Sequence, residues 1–199
     1  MTRVLVTGAN GFVGHHLCRG LIDGGYEVVA LVHRHRERLP SSASLQVVPG
    51  DVLDPASLLN AMRRHGPIAA VAHLATEPPE RPKESVAGLS RRETNVSGTE
   101  NVLHAACRAD VQRVVFTSTM SVFDFLDPDL PIPLKEQHPV APRDPYGVEK
   151  SVAEGICRRV TDDAGLPVVI LRLAGVYGPG KRSGAVYNFL RSVLQAEAI

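Results

Sequence analysis

A glycine turn wedged between a short apolar strand and a helix opens this chain, and few folds accept that order of elements. Arg3 to Thr7 (RVLVT) reads as the strand, Thr7-Gly8-Ala9-Asn10-Gly11-Phe12-Val13-Gly14 as the turn, and Phe12 to Asp23 as the helix. Glycines at positions 8, 11 and 14 permit a tight bend, close approach of a ligand to backbone, and close packing of helix on sheet. The helix start adds unpaired N–H groups and a positive dipole end, which together favour a pyrophosphate. The spacing is GxxGxxG rather than GxGxxG, with the same mechanics. Gly8, Asn10, Gly11, Phe12, Val13 and Gly14 are the expected phosphate-binding set.

Strand-like and helix-like segments then alternate along the chain. In the first helix Phe12, Val13, His16, Leu17 and Gly20 fall near one face, and Gly24-Gly25 stops it. Glu27 to Val32 (EVVALV) and Leu45 to Val48 are apolar runs of the kind a strand shows when both its faces are covered. Asp54-Pro55 caps and opens a helix to about His65. Further strands are predicted at Ile68 to Leu74, Arg113 to Ser118 and Val168 to Leu173, with helices at Arg91 to Ala109, Tyr146 to Thr161 and from about Ala185. This alternation predicts an α/β fold, a doubly wound parallel sheet with helices on both faces. Two Pro-rich loops, Thr76 to Gly88 and Asp124 to Asp144, follow strand C-termini, where ligands bind in such sheets.

Composition narrows the function classes. With 44% hydrophobic and 22% charged residues among 199, the chain is an ordinary globular one, large enough for a good-sized domain. A formal net charge of +1 gives no reason to expect nucleic acid or an anionic membrane as partner. No apolar run approaches a membrane span, and the N-terminus does not read as a secretory signal. Three cysteines, Cys18, Cys107 and Cys157, are read as buried apolar residues in a reducing cytoplasm. The eight histidines are scattered, and no metal site is expected.

A site that prefers NAD ends its second strand with an acid that holds the ribose hydroxyls. Here that strand end reads Leu31-Val32-His33-Arg34-His35-Arg36. A guanidinium suits a 2′-phosphate, so the cofactor is read as NADP or NAD, with NADP preferred. Arg34 is the leading phosphate contact, assisted by His33 or Arg36. Tyr146 and Lys150 lie four apart on a predicted helix and share a face. A phenol is a poor base near neutrality, but an adjacent ammonium and a cationic nicotinamide favour its phenolate. Tyr146 then exchanges a proton with a substrate oxygen, and Thr119, just past the predicted strand, orients that oxygen.

Taken together, the motifs resemble those of the extended short-chain dehydrogenases, the NAD(P)-dependent epimerase/dehydratase family typified by UDP-glucose 4-epimerase. They are TGANGFVG at Thr7 to Gly14, GDVLD at Gly50 to Asp54, HLA at His73 to Ala75 and NVSGTENVL at Asn95 to Leu103. RVVFTSTMSVF at Arg113 to Phe123, PYGVEK at Pro145 to Lys150 and LRLAGVYGPG at Leu171 to Gly180 complete the set. The resemblance implies a Rossmann-type fold, with Gly8, Gly11 and Gly14 on the pyrophosphate and Asp51 and Val52 at the adenine. It puts Leu74 and Ala75 near the ribose and Asn95 close to the active site. Thr119 and Tyr146 become the catalytic pair, and Lys150 both binds the nicotinamide ribose and lowers the tyrosine's pKa. Residues 1–175 are expected to form the dinucleotide-binding domain and 176–199 the opening of a substrate-binding domain that is otherwise missing.

The implied reaction is Tyr/Lys-assisted hydride transfer at a hydroxyl or carbonyl, on a small-molecule substrate of nucleotide-sugar type. The alternatives are an NADPH-dependent carbonyl reductase of a non-sugar substrate and a non-catalytic NADP-binding or regulatory domain. Met120-Ser121 stand where sugar 4,6-dehydratases of the family carry Asp-Glu, which disfavours dehydration. Val122-Phe123-Asp124 replaces the usual V-Y-G on the substrate side of the pocket. Family analogy adds a cytoplasmic homodimer, formed through the helices at Arg91 to Ala109 and Tyr146 to Thr161.

Overall fold

The computed structural model describes residues 1–33, 35–77 and 91–195. Six parallel strands form one sheet: β1 (Arg3–Thr7), β2 (Glu27–Val32), β3 (Leu45–Pro49), β4 (Ala70–His73), β5 (Arg113–Thr119) and β6 (Val168–Leu173). Their order across the sheet is β3-β2-β1-β4-β5-β6. The chain therefore winds outward in one direction to β3, returns to β4, and winds outward the other way. The crevice where the winding reverses lies between the C-terminal ends of β1 and β4, at Thr7 and His73.

Helices cover both faces, as the doubly wound reading requires. On one face α1 (Phe12–Asp23) closes a small core of Val4, Val6, Val28, Ala30, Ala72 and Cys18. On the other, α2 (Pro55–Arg63), α3 (Gly98–Arg108) and α4 (Pro145–Ala164) pack over the larger core built on Leu5, Val29, Val71, Val114 and Phe116. Strand register explains the division. Val4 pairs with Ala70 and Leu5 with Val71, so alternate residues of β1, β2 and β4 feed opposite cores. The α1 side thins toward the sheet edge, where Val169 and Leu171 of β6 are exposed. A last helix, α5 (Ala185–Leu194), buries none of its residues.

Local sequence accounts for the element ends. Asp54 caps α2 by accepting the Ala56 N–H, with Pro55 in the first turn. Asp144 does the same for α4 through the Gly147 N–H, again with a proline after the cap. Gly165 closes α4 in a left-handed conformation at φ 69°. Strand β5 runs one residue further than expected and takes in Thr119, while β4 is shorter, Ala70–His73. The buried stripe of α1 runs through Gly14 and Cys18, and His16 and Gly20 are exposed, contrary to the face read from sequence. Small residues are needed where the helix presses on the turn, and that requirement outranks simple apolarity.

The expected helix from Arg91 is helical but not uniform: Glu93–Ser97 is a π-helical turn that leads into α3. Such turns add a residue to the helix and mark functional positions often enough to be informative. Cys18 and Cys157 are buried, whereas Cys107 is only half-buried. Among the described residues no helix is long and apolar enough to cross a membrane, and no group of His, Cys, Asp and Glu has the makings of a metal site.

Candidate active site

The glycine turn is a cradle that no side chain could share. A Cβ added at Gly8 would lie 2.7 Å from the Ala75 nitrogen and from the Leu74 carbonyl carbon, and at φ 65° the residue is left-handed. A Cβ at Gly14 would lie 2.2 Å from the Gly8 carbonyl oxygen, so the first turn of α1 sits directly on the bend. Gly8 thus packs the turn against the chain leaving β4, which brings Leu74 and Ala75 beside it. Helix α1 has Gly11 at its N-cap, no side-chain cap and no acid in its first turn. Its free N–H groups and dipole await an anion from elsewhere.

The edges of the cradle are pinned by polar contacts. Asn10 accepts the Arg38 N–H at 2.9 Å, tying the loop after β2 to the glycine turn. Phe12 meets the His16 ring edge-on at 5.4 Å, and the Lys181 ammonium lies 5.5 Å from its centroid. Val13 is half-buried on the same turn. At the end of β2, His33 Nε2 stands 3.4 Å from Asp51 Oδ2, and Asp51 also accepts the Leu53 N–H at 2.9 Å. Arg36 is exposed in the same loop, and Arg34 lies outside the described residues. Val52 is buried against Gly98, and its carbonyl accepts from Asn101 at 3.0 Å.

Beyond the crevice lie Thr119 at the end of β5 and Tyr146 and Lys150 on α4. Thr119 ends β5, and its hydroxyl accepts the Ser121 N–H at 3.2 Å. Tyr146 stands in the first turn of α4. That turn is drawn onto the segment after β5 because a Cβ at Gly147 would fall 2.2 Å from the Ser121 carbonyl oxygen. Gly147 therefore sets how closely the first turn of α4 approaches the segment after β5, a role hidden in the sequence behind its neighbours' chemistry. Lys150 follows one turn later, only 2% exposed, with its ammonium 4.4 Å from the centre of the Phe116 ring. Burial brings the Lys150 ammonium down to about 8 and pushes the Tyr146 phenol above its ordinary value.

Asn95 is buried, and its amide is fully engaged by the protein. Its Oδ1 accepts from the Thr76 hydroxyl at 2.9 Å and from the Glu77 N–H at 2.8 Å. Its Nδ2 donates to Glu149 at 2.8 Å and to the Glu77 carbonyl at 3.2 Å. It braces the loop after β4 against α4 rather than presenting a free group. Thr76, Glu149 and Arg91 complete this brace, and none of them stood out in the sequence. The only available signal was an acid inside the Tyr146–Lys150 spacing. Of the loop Thr76 to Gly88, residues 78–88 lie outside the described residues.

The chain is similar in sequence and fold to known proteins. The chain is 34% identical to the UDP-glucose 4-epimerase of Azospirillum brasilense over 187 residues, 92% of this chain and 52% of that one. It is 36% identical over 190 residues to the 2-alkyl-3-oxoalkanoate reductase of Stenotrophomonas maltophilia, 89% of this chain and 52% of the relative. The chain thus spans about half the length of these curated relatives. Among solved structures, the Bordetella bronchiseptica enzyme WbmG in complex with NAD superposes with a TM-score of 0.84 at 29% identity, covering 99% of this chain and 61% of that one. The UDP-glucuronic acid 4-epimerase of Bacillus cereus, in complex with UDP-glucuronic acid and NAD, gives 0.83 at 27%, covering 98% and 64%. The model of the NAD dependent epimerase/dehydratase family matches residues 4–199, and the chain belongs to that family.

Proposed function

We propose that this chain binds NAD(P) along the C-terminal edge of β1, β2 and β4 and carries the groups for hydride exchange at a hydroxyl or carbonyl carbon of a nucleotide sugar. The observation that carries this reading is the placement of Lys150, a buried ammonium one helical turn from Tyr146 and resting on Phe116 beside the crevice. Desolvating an ammonium is costly, the Phe116 face and the Glu154 and Glu149 charges offset part of that cost, and groups perturbed in this way cluster at functional sites. The cradle fits a dinucleotide's pyrophosphate: its glycines leave backbone bare where any Cβ would collide, and α1 brings an unneutralised N-terminus. The relatives' activities and the NAD in the similar structures support the same assignment.

Bound there, a nicotinamide ring supplies the hydride acceptor or donor. Gly8, Gly11 and Gly14 would hold the diphosphate, with Asn10, Phe12 and Val13 forming the turn's rim. Asp51 would reach the adenine end, and Leu74 and Ala75 would line the ribose. Lys150 would donate to the nicotinamide ribose and favour the Tyr146 phenolate. Tyr146 takes a proton from a substrate hydroxyl during oxidation and returns one to a carbonyl oxygen during reduction. Thr119 orients that oxygen. Residues 176–199 are read as the opening of a substrate-binding domain, a reading supported by an α5 that buries no residue of its own. Exposed Val148 and Val152 on α4 support association of two copies through that helix.

A second reading, reduction with exchangeable NADPH, is favoured by the end of β2, which holds His33 rather than an acid. Titration with NADPH and NADH in parallel, followed by nicotinamide fluorescence, separates the two. Tighter NADPH binding that is lost in Arg34→Ala supports a reductase, and NADH preference supports an epimerase. Absence of binding by either excludes the proposal for this chain.

A further inference from the structure

Helix α4 carries two acids close to the buried ammonium of Lys150, yet among the described residues no carboxylate pairs with it. Glu149 adjoins Lys150 in sequence, and Glu154 follows it by four positions, the spacing at which helical side chains meet. Both acids are held by arginines instead. Glu149 accepts from the Arg91 guanidinium at 3.0 and 2.9 Å and from the Asn95 amide at 2.8 Å. Glu154 is fully buried and saturated. Its Oε1 accepts the Ser118 hydroxyl at 2.6 Å and Arg172 Nε at 3.0 Å, and its Oε2 accepts Arg172 Nη2 and Arg158 Nη2, each at 2.8 Å. A carboxylate has about four lone-pair sites, so none is left for a lysine. Arg172 is itself fixed. Its Nη1 donates to the Glu136 carbonyl at 3.1 Å, and its guanidinium lies 4.9 Å from the centre of the Phe123 ring.

We propose that Arg172 and Ser118 are positioning residues for Lys150: by filling the acceptor sites of Glu154 they keep the ammonium out of an ion pair and open to a ligand of the site. The proposal rests on Lys150 as the cofactor contact and names what holds it ready. Ser118 lies two residues from Phe116 on the same face of β5, so the Ser118–Glu154 bond and the Lys150–Phe116 contact share one surface of the sheet. An acceptor site released there takes the ammonium, and a lysine tied to a carboxylate has fewer hydrogens to give a ligand. The ionisable groups that act on Lys150 are Glu149, Glu154 and Cys157 on its own helix and His73 on β4. Burial keeps the Cys157 thiol protonated and His73 neutral, which leaves the two acids. Adjacent residues of a helix do not face each other, so Glu154 rather than Glu149 is the acid within reach.

The test follows the Lys150 titration by NMR, through the Cε shift of isotopically labelled lysine in the cofactor-free chain. The chain has four lysines, and the Lys150 signal is the one lost in Lys150→Met. Ser118→Ala opens one acceptor site on Glu154 without changing any charge, and the Lys150 midpoint is expected to rise by about half a pH unit. Arg172→Met opens two such sites, and the expected rise is about one unit or more, with NAD(P) affinity reduced about tenfold. Adding Glu154→Gln to Arg172→Met removes the competing acid, so the midpoint should fall again and affinity return to within about threefold of the parent. An unmoved midpoint in a Ser118→Ala chain that keeps its circular dichroism overturns the proposal, as does a double variant that binds no better than Arg172→Met. If Arg172→Met does not fold, Ser118→Ala decides alone. A parent chain that binds no NAD(P) defeats the reading of the site, whereas the titration still decides whether Lys150 is kept unpaired. A merely structural cluster would lower the melting temperature of Ser118→Ala and leave its Lys150 midpoint in place.

Discussion

Thr7 gives its hydroxyl proton to His73 Nδ1 across 2.7 Å, and that bond fixes the chemical state of the histidine at the crevice. The direction follows from counting. The Thr7 oxygen already accepts the N–H groups of Leu74 and Ala75, at 3.2 and 3.1 Å, so its hydrogen goes to the ring. The other ring nitrogen then carries the proton and donates to the Thr99 hydroxyl at 3.1 Å, and Thr99 in turn donates to the Asn95 carbonyl at 2.8 Å. A chain of four residues, one proton per link, ties the ends of β1 and β4 to the π-helical turn before α3.

This chain has no place for a charged imidazole, and acid should expose that. Burial, with the nearby Lys150 charge, pulls the His73 pKa down to about 3 from 6.5. Below 6.5 the unfolded chain binds a proton that the folded chain refuses, so stability is full above 6.5 and is lost as pH falls toward 3. Over that window His73 alone should steepen the loss by about 1.4 kcal/mol per pH unit. Urea unfolding at a series of pH values checks this. In His73→Asn the slope between pH 6.5 and 4.5 should flatten by that amount, and an unaltered slope would refute the neutral assignment.

The cradle makes a sharper demand. Gly14→Ala would set a Cβ against backbone atoms of Gly8 and Ala9, none of which can rotate away, so α1 must lift from the turn. The expected cost is about 1–3 kcal/mol of stability, with NAD(P) affinity reduced tenfold or more because the helix N-terminus moves with the strain. Gly20→Ala is the control on the same helix. Nothing lies within 4 Å of its added Cβ, and removing an exposed mid-helix glycine should stabilise by about 0.5–1 kcal/mol. Thermal melts of the two variants, together with nicotinamide fluorescence titrations, should diverge in sign.

These relationships also mark what local sequence carries and what it does not. The strand–glycine–helix opening, the parallel sheet implied by βαβ alternation and the Asp–Pro helix starts all depend on neighbours in the chain, and the structure has them. Thr7 and His73 are 66 positions apart, and Asn95 and Glu149 are 54 apart. No periodicity links such pairs, so the network that fixes His73 and the brace at Asn95 were invisible, and so was the π-helical turn they hold. Asn95 reads, from the resemblance, as a residue near the active site, and the structure bonds its amide to Thr76, Glu77 and Glu149. The misread face of α1 has the same origin: packing against Gly8 decides which residues are buried there.

Lys150 separates function from stability most cleanly. Its ammonium is buried over Phe116, with its pKa brought down to about 8 by burial, so folding pays for desolvating a charge that ligand binding would use. Between pH 10.5 and 8 the unfolded chain carries a proton there that the folded chain releases, so stability contributed by this group falls as pH drops through that interval. Lys150→Met keeps the length of the side chain and its contact with the ring but removes the charge. The variant should melt at least as high as the parent at neutral pH, by about 1 kcal/mol of added stability. Its NAD(P) affinity should fall, and any turnover should drop by a factor of about a hundred or more, since the site loses the ammonium one helical turn from Tyr146. Calorimetry and cofactor titration on one preparation decide the matter: a lower melting temperature with unchanged cofactor binding would make Lys150 a structural residue and remove it from the site.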